Sequence, residues 1–139
     1  MFDSNMTALE KRFWFLLGAV SISFHLFLVF SGMTPHMISR PIHMALAAPW
    51  TLVFIAKTTR ARWTGLALTA AAVASCGYIV LNESRLSDQY GALHGNLQMA
   101  IAVTLLLATL EMARRSISWP LPTVALLALL YGLFGKYIP

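Results

Sequence analysis

The strongest constraint on this chain is a set of five apolar runs that carry almost no charge. They extend from Phe13 to about Gly32, from Pro41 to Ala56, from Trp63 to Leu81, from Leu97 to Ala113, and from Trp119 to about Phe134. Charges, prolines or glycines bound each one. In hydrocarbon every backbone N–H and C=O must find a partner, which leaves only helices or a closed barrel. A barrel strand would alternate in polarity over ~10 residues, and stretches such as Val103 to Leu107 do not alternate. The expected fold is therefore all-α: an integral membrane helical bundle of about five transmembrane helices. The second and fifth runs are short, about 16 residues or ~24 Å of helix, and cross only with help from flanking residues or a locally thinned bilayer.

Composition agrees. The chain is 58% hydrophobic and 11% charged, with a mean hydropathy of +0.70, where a soluble domain has about 45–50% and about 25%. Too little charge is present to cover a water-facing surface, which excludes a soluble enzyme and a disordered tail. At ~20 residues per span, 139 residues leave no room for a separate soluble domain. The lone Cys76 reads as a small packing residue. The net charge of +5 invites a nucleic-acid partner, but the basic residues are scattered between apolar runs rather than gathered in a patch. No nucleic acid is expected; the expected surroundings are a lipid bilayer.

Those basic residues set a topology. Lys11, Arg12, Lys57, Arg60, Arg62, Arg114 and Arg115 fall on one side, seven in all, against Arg40, Arg85 and Lys136 on the other. The excess marks the cytoplasmic side, so the N-terminus is expected inside. Trp14, Trp63 and Trp119 then fall at the inner interface, with Trp50 in the inner half of the second helix. Tyr78, Tyr90, Tyr131 and Tyr137 fall toward the outer side. Residues 1–12 read as a polar cytoplasmic segment, and the first run is too long for a signal-peptide core.

Local signals suggest where helices begin and bend. Ser39-Arg40-Pro41 and Ser118-Trp119-Pro120 each place a hydroxyl before a proline, as at a helix start, and Asn96 reads as the cap of the fourth helix. Pro49, inside the second helix, removes one backbone donor and predicts a kink. In the third helix Ala67, Ala71 and Ser75 form a small-xxx-small row, expected to line a bundle centre or a protein–protein seam.

Few residues offer chemistry. His25 lies roughly 18 Å into the first helix, near mid-membrane, where an ionisable group is a functional hypothesis. The plainer reading is a neutral histidine bonded to a hydroxyl such as Ser21, one turn earlier. His36, His43 and His94 fit no metal motif. A haem would use His25 and His43 as axial ligands. A second helix beginning at Pro41, however, puts His43 ~9 Å above His25, so no cofactor and no metal are expected. Glu111 lies three and four residues before Arg114 and Arg115. That spacing reads first as an interfacial ion-pair cluster worth a few tenths of a kcal/mol, and second as a docking point for a partner helix. No span carries an acidic residue at its middle, and no phosphate loop, nucleophile elbow or zinc motif is present. Read alone, the chain is a helical scaffold rather than an enzyme. Two alternatives are a small redox protein built on the histidines and a homo-oligomeric exporter.

Five stretches in order carry a family resemblance. Arg40-Pro41-Ile42-His43-Met44-Ala45-Leu46-Ala47 follows the first helix, and Tyr78-Ile79-Val80-Leu81-Asn82 closes the third. Leu110-Glu111-Met112-Ala113-Arg114-Arg115 precedes Ser118-Trp119-Pro120-Leu121-Pro122, and the chain ends Leu130-Tyr131-Gly132-Leu133-Phe134-Gly135-Lys136-Tyr137-Ile138-Pro139. This order resembles the N-terminal region of fused TRAP transporter permeases of the TAXI type. The resemblance implies the scaffold or accessory portion of a sodium-coupled solute importer of the bacterial inner membrane. Its partners would be a large TRAP transport subunit or domain and a periplasmic TAXI-type solute-binding protein. Residues 13–113 would form a four-helix domain like the TRAP small subunit, and 114–139 a connecting fifth helix. The outer loop with Glu83, Arg85 and Asp88 would touch the binding protein. The family continues into a transport domain where this chain stops at Pro139, which implies a fragment, a split permease or a truncated product. None of the family's ion or substrate residues falls within the chain, so catalytic and cofactor positions are none. The structural positions to weigh are His25, Pro41, Pro49, Ala67, Ala71, Ser75, Glu111, Arg114 and Arg115.

Overall fold

A computed structural model describes residues 7–32 and 35–135. Lys136 and Tyr137, which the sequence assigned to the outer side of the membrane, lie outside them. Among the described residues there are helices and no strands, as the backbone argument requires. Helix α1 spans Ala8–Ser31, α2 His36–Pro49, α3 Thr59–Leu81, α4 Glu83–Ser87, α5 Gly95–Ile117 and α6 Pro120–Phe134. A π-turn over Trp50–Phe54 continues α2 without a break. α1, α3 and α5 are long and apolar enough to cross a membrane, while α6 is apolar but shorter.

α1, α2, α3 and α5 begin earlier than their apolar runs. α1 starts five residues before Phe13 because Thr7 caps it: the Thr7 hydroxyl accepts from the Glu10 N–H at 3.3 Å, and the Glu10 carboxylate accepts from the Thr7 N–H at 3.0 Å. This reciprocal capping box satisfies two of the donors that a helix start leaves free. The polar segment 1–12 is thus partly helix. α2 starts at His36, not Pro41. Pro35 is the residue before the helix, and its carbonyl accepts from the Ile38 and Ser39 N–H groups, both at 3.0 Å. Ser39 and Pro41 lie inside the helix, where Pro41 removes the N–H that would meet the Met37 carbonyl. Asn96 is likewise inside α5. That helix start is closed by Gln98, whose side-chain oxygen accepts from the His94 N–H at 2.6 Å. Pro120 does occupy the first turn of α6, but Ser118 makes no side-chain cap there. α5 also runs on to Ile117, past the expected boundary at residue 113.

The bend expected at Pro49 takes the form of the π-turn. Without the Pro49 N–H, the ladder shifts register, and the Ile55 N–H reaches the Trp50 carbonyl at 3.3 Å. The Thr51 hydroxyl shares its one hydrogen between the carbonyls of Ala47 and Ala48, at 3.2 and 3.3 Å, beside the shifted register.

α2 and its π-turn pack along α3, with α5 against both; α1 leans on α2, and α6 on α5. The buried side chains are few and mostly small: Ala48, Leu52, Val53, Ala72, Ser75, Cys76, Gln98 and Ala108, with Trp14 on α1. Trp14 is core rather than interfacial, its ring centroid 5.0 Å from both Trp50 and Phe54. Trp63 and Trp119 remain exposed. α1 turns large apolar side chains such as Phe15, Val29 and Phe30 outward, as a helix solvated by lipid tails does.

The buried row of α3 is Gly65, Ala72, Ser75 and Cys76. Ala67 and Ala71, expected beside Ser75 at a bundle centre, are exposed instead. The rotation follows from one close approach. A Cβ on Gly65 would run into the Leu52 carbonyl oxygen, so the π-turn can lie against α3 only on the glycine's face.

Candidate functional site

Two polar clusters stand out in an otherwise apolar molecule. The first joins α1 and α2. His25 Nδ1 lies 2.6 Å from the Ser21 carbonyl oxygen, and His25 Nε2 lies 2.5 Å from His43 Nδ1. The carbonyl can only accept, so the His25 Nδ1–H donates to it. In a neutral ring Nε2 then accepts from the His43 Nδ1–H. The rings meet edge to face, with centroids 4.7 Å apart.

His25 does make the local bond expected of it, but to the Ser21 backbone rather than its hydroxyl. His43 was expected to sit well above it, and that is corrected. Starting α2 at His36 instead of Pro41 adds five residues, ~7.5 Å of helix at ~1.5 Å each, which lowers His43 to the depth of His25. The argument from depth against shared ligation therefore falls. Among the described residues no three His, Cys, Asp or Glu side chains converge on a metal position.

The second cluster ties three elements at the opposite end of α1 from Ser31. Glu111 accepts from Arg114 Nε and Nη2, both at 2.6 Å, and from Arg115 Nε at 2.7 Å. Arg115 then reaches across. Its Nη1 donates to the Leu52 carbonyl at 2.5 Å and the Ala61 carbonyl at 3.0 Å, and its Nη2 to the Thr64 hydroxyl at 3.3 Å. Leu52 lies among the last carbonyls of its helix, which have no donor within it. Arg115 supplies that donor. Arg114 instead faces outward and stacks its guanidinium 5.4 Å from the Trp119 ring centroid. Glu111 was read as an interfacial cluster or a docking point; the structure places it at the root of a lock within the chain.

The same end carries the pair Arg62–Glu10 at 2.6 Å, which links α3 to α1. The start of α1, the start of α3 and the end of α5 are thus tied together, and with them the basic residues that the charge count assigned to one side. α4, which holds Glu83 and Arg85, follows the other end of α3. Sequence reasoning missed the His25–His43 contact and the Arg115–Leu52 bond. The first was legible only through Pro35 as the start of α2. The second had no signal along the chain, since it depends on a carbonyl freed by the π-turn.

No protein-family model, no curated protein and no solved structure matches this chain.

Proposed function

We propose that the chain is a multi-pass protein of the bacterial inner membrane, N-terminus in the cytoplasm, that serves as the scaffold or accessory portion of a TRAP-type solute importer. The observation that carries the scaffold reading is His43. Its ring is exposed on α2, seven residues from the helix start and held at the depth of His25. A polar ring at mid-span is costly against lipid tails and is kept where a partner or a wet cavity covers it. The face of α1 and α2 around His43 is accordingly the face that a large transport subunit covers. The ordered stretches that resemble fused TAXI-type permeases say which kind of partner that is. The seven-to-three bias of basic residues supports the orientation.

Co-expression tests this. Affinity purification through this chain should recover a co-expressed large TRAP transport subunit, and His43→Trp should reduce the recovery. Uptake by the assembled system should need sodium and the periplasmic binding protein. A chain that purifies alone while the large subunit assembles without it would refute the accessory role. Reversing the charges of Glu83, Arg85 and Asp88 without loss of uptake would remove the binding-protein contact.

A further inference from the structure

The geometry points to a binding site for an anionic phospholipid in the groove between α1 and α3 at the basic end of the molecule. The inference rests on the membrane reading above, and not on the transporter assignment. The groove encloses about 450 Å³. Phe13 and Trp14 wall it on α1, Leu66 on α3, and Pro49 and Val53 form its floor. It is open because α1 leans on α2 and leaves a gap beside α3. Such a slot, apolar along its length and open to the side, fits an acyl chain.

Its mouth has the complementary charge. Arg62 and Glu10 line the groove and pair across it at 2.6 Å. Glu10 is committed on both oxygens, to Arg62 and to Thr7. Among the described residues Arg62 uses only Nη2. A guanidinium has five N–H donors, so Arg62 retains donors for a phosphate. Lys11, Arg12, Lys57 and Arg60 lie at the same end of the molecule and raise the local potential. A second observation lies deeper in the same wall. Thr69 lines the groove, and its hydroxyl oxygen is buried without a hydrogen-bond partner among the described residues. Seven residues beyond Arg62 on α3, about 10 Å along the helix, it offers a donor to the ester region of the lipid whose phosphate Arg62 holds. Basic pockets between membrane helices on the cytoplasmic side bind such headgroups.

The test uses the full chain purified in detergent, titrated with dioleoylphosphatidylglycerol and dioleoylphosphatidylcholine. Retained lipid is read by native mass spectrometry and stabilisation by the melting temperature. The phosphatidylglycerol should bind preferentially. Arg62→Gln should weaken it by about fivefold, what one basic group is worth near an anionic surface. Glu10→Gln, which frees Arg62, should strengthen it. Leu66→Trp keeps every charge and should abolish retention by filling the slot. Thr69→Val, of equal volume, should weaken retention without unfolding the protein and so stands in if the tryptophan variant misfolds. Equal binding of the two lipids, or full retention in both Leu66→Trp and Thr69→Val, would overturn the site. Carbonate extraction of membranes separates the two readings. A chain released into the soluble fraction overturns the membrane reading and the site with it. A chain that stays bound but shows no lipid preference overturns the site alone.

Discussion

Arg115 on α5 donates a hydrogen bond of 2.5 Å to the carbonyl oxygen of Leu52, which lies in the π-turn that ends α2. One side chain thereby satisfies a backbone acceptor of a neighbouring helix, while Glu111 orients it from behind. The neighbour Arg114, one position earlier, has a similar ion pair with Glu111 but, among the described residues, no hydrogen bond to α2 or α3.

Substitutions of these two arginines should therefore separate. Arg115→Met leaves the Leu52 carbonyl without its donor inside the protein, at a cost of about 2 kcal/mol. Arg114→Met removes a part-exposed ion pair and should cost less than about 1 kcal/mol. Denaturant unfolding in detergent micelles measures both, and equal effects would argue that Arg115 does not reach α2.

Two glycines of α3 give a second contrast. Gly65→Ala drives a methyl group into the Leu52 carbonyl and should cost about 3 kcal/mol, at the upper end for overpacking. A Cβ on Gly77 meets nothing within 4 Å, so Gly77→Ala should be neutral or stabilise by up to about 1 kcal/mol. Thermal melts of the two variants side by side decide it.

The histidine pair predicts a coupling. Unfolding measured for the original chain, His25→Phe, His43→Phe and the double variant should give an interaction energy of about 1 kcal/mol, the net worth of one hydrogen bond. Additive single effects would mean that the rings do not meet.

Ser118 joins α5 to α6 with φ 100° and ψ −176°, a conformation that favours glycine and costs other residues about 1–3 kcal/mol. Ser118→Gly should raise stability by about 1 kcal/mol, seen as a higher melting temperature. A drop would show that the serine side chain, rather than the backbone, is what the connection needs.

Much of the architecture was legible along the chain. The apolar runs located the five longer helices, since periodicity and length survive any arrangement of neighbours. Pro49 announced the irregularity in α2, although the choice of a π-turn over a plain kink depended on Thr51 and Ile55 finding carbonyls. The start of α2 was misplaced because two prolines compete there, and the one with the weaker flanking signal, Pro35, begins the helix. That single displacement carried His43 down to His25, so an error of five residues in one boundary became an error about which side chains touch.

The sequence by itself determined that this protein is helical and apolar enough to live in a membrane, and that its basic residues favour one side seven to three. Backbone groups that cannot meet water must pair locally, and that requirement is written in composition and run length. Only the tertiary structure decided which face of α3 is buried, that Arg115 rather than Arg114 holds the bundle, and that two histidines on different helices share a hydrogen bond. Those outcomes depend on where a freed carbonyl at Leu52 lies relative to Gly65 and to a guanidinium 63 residues away. No pattern along the chain encodes that relation.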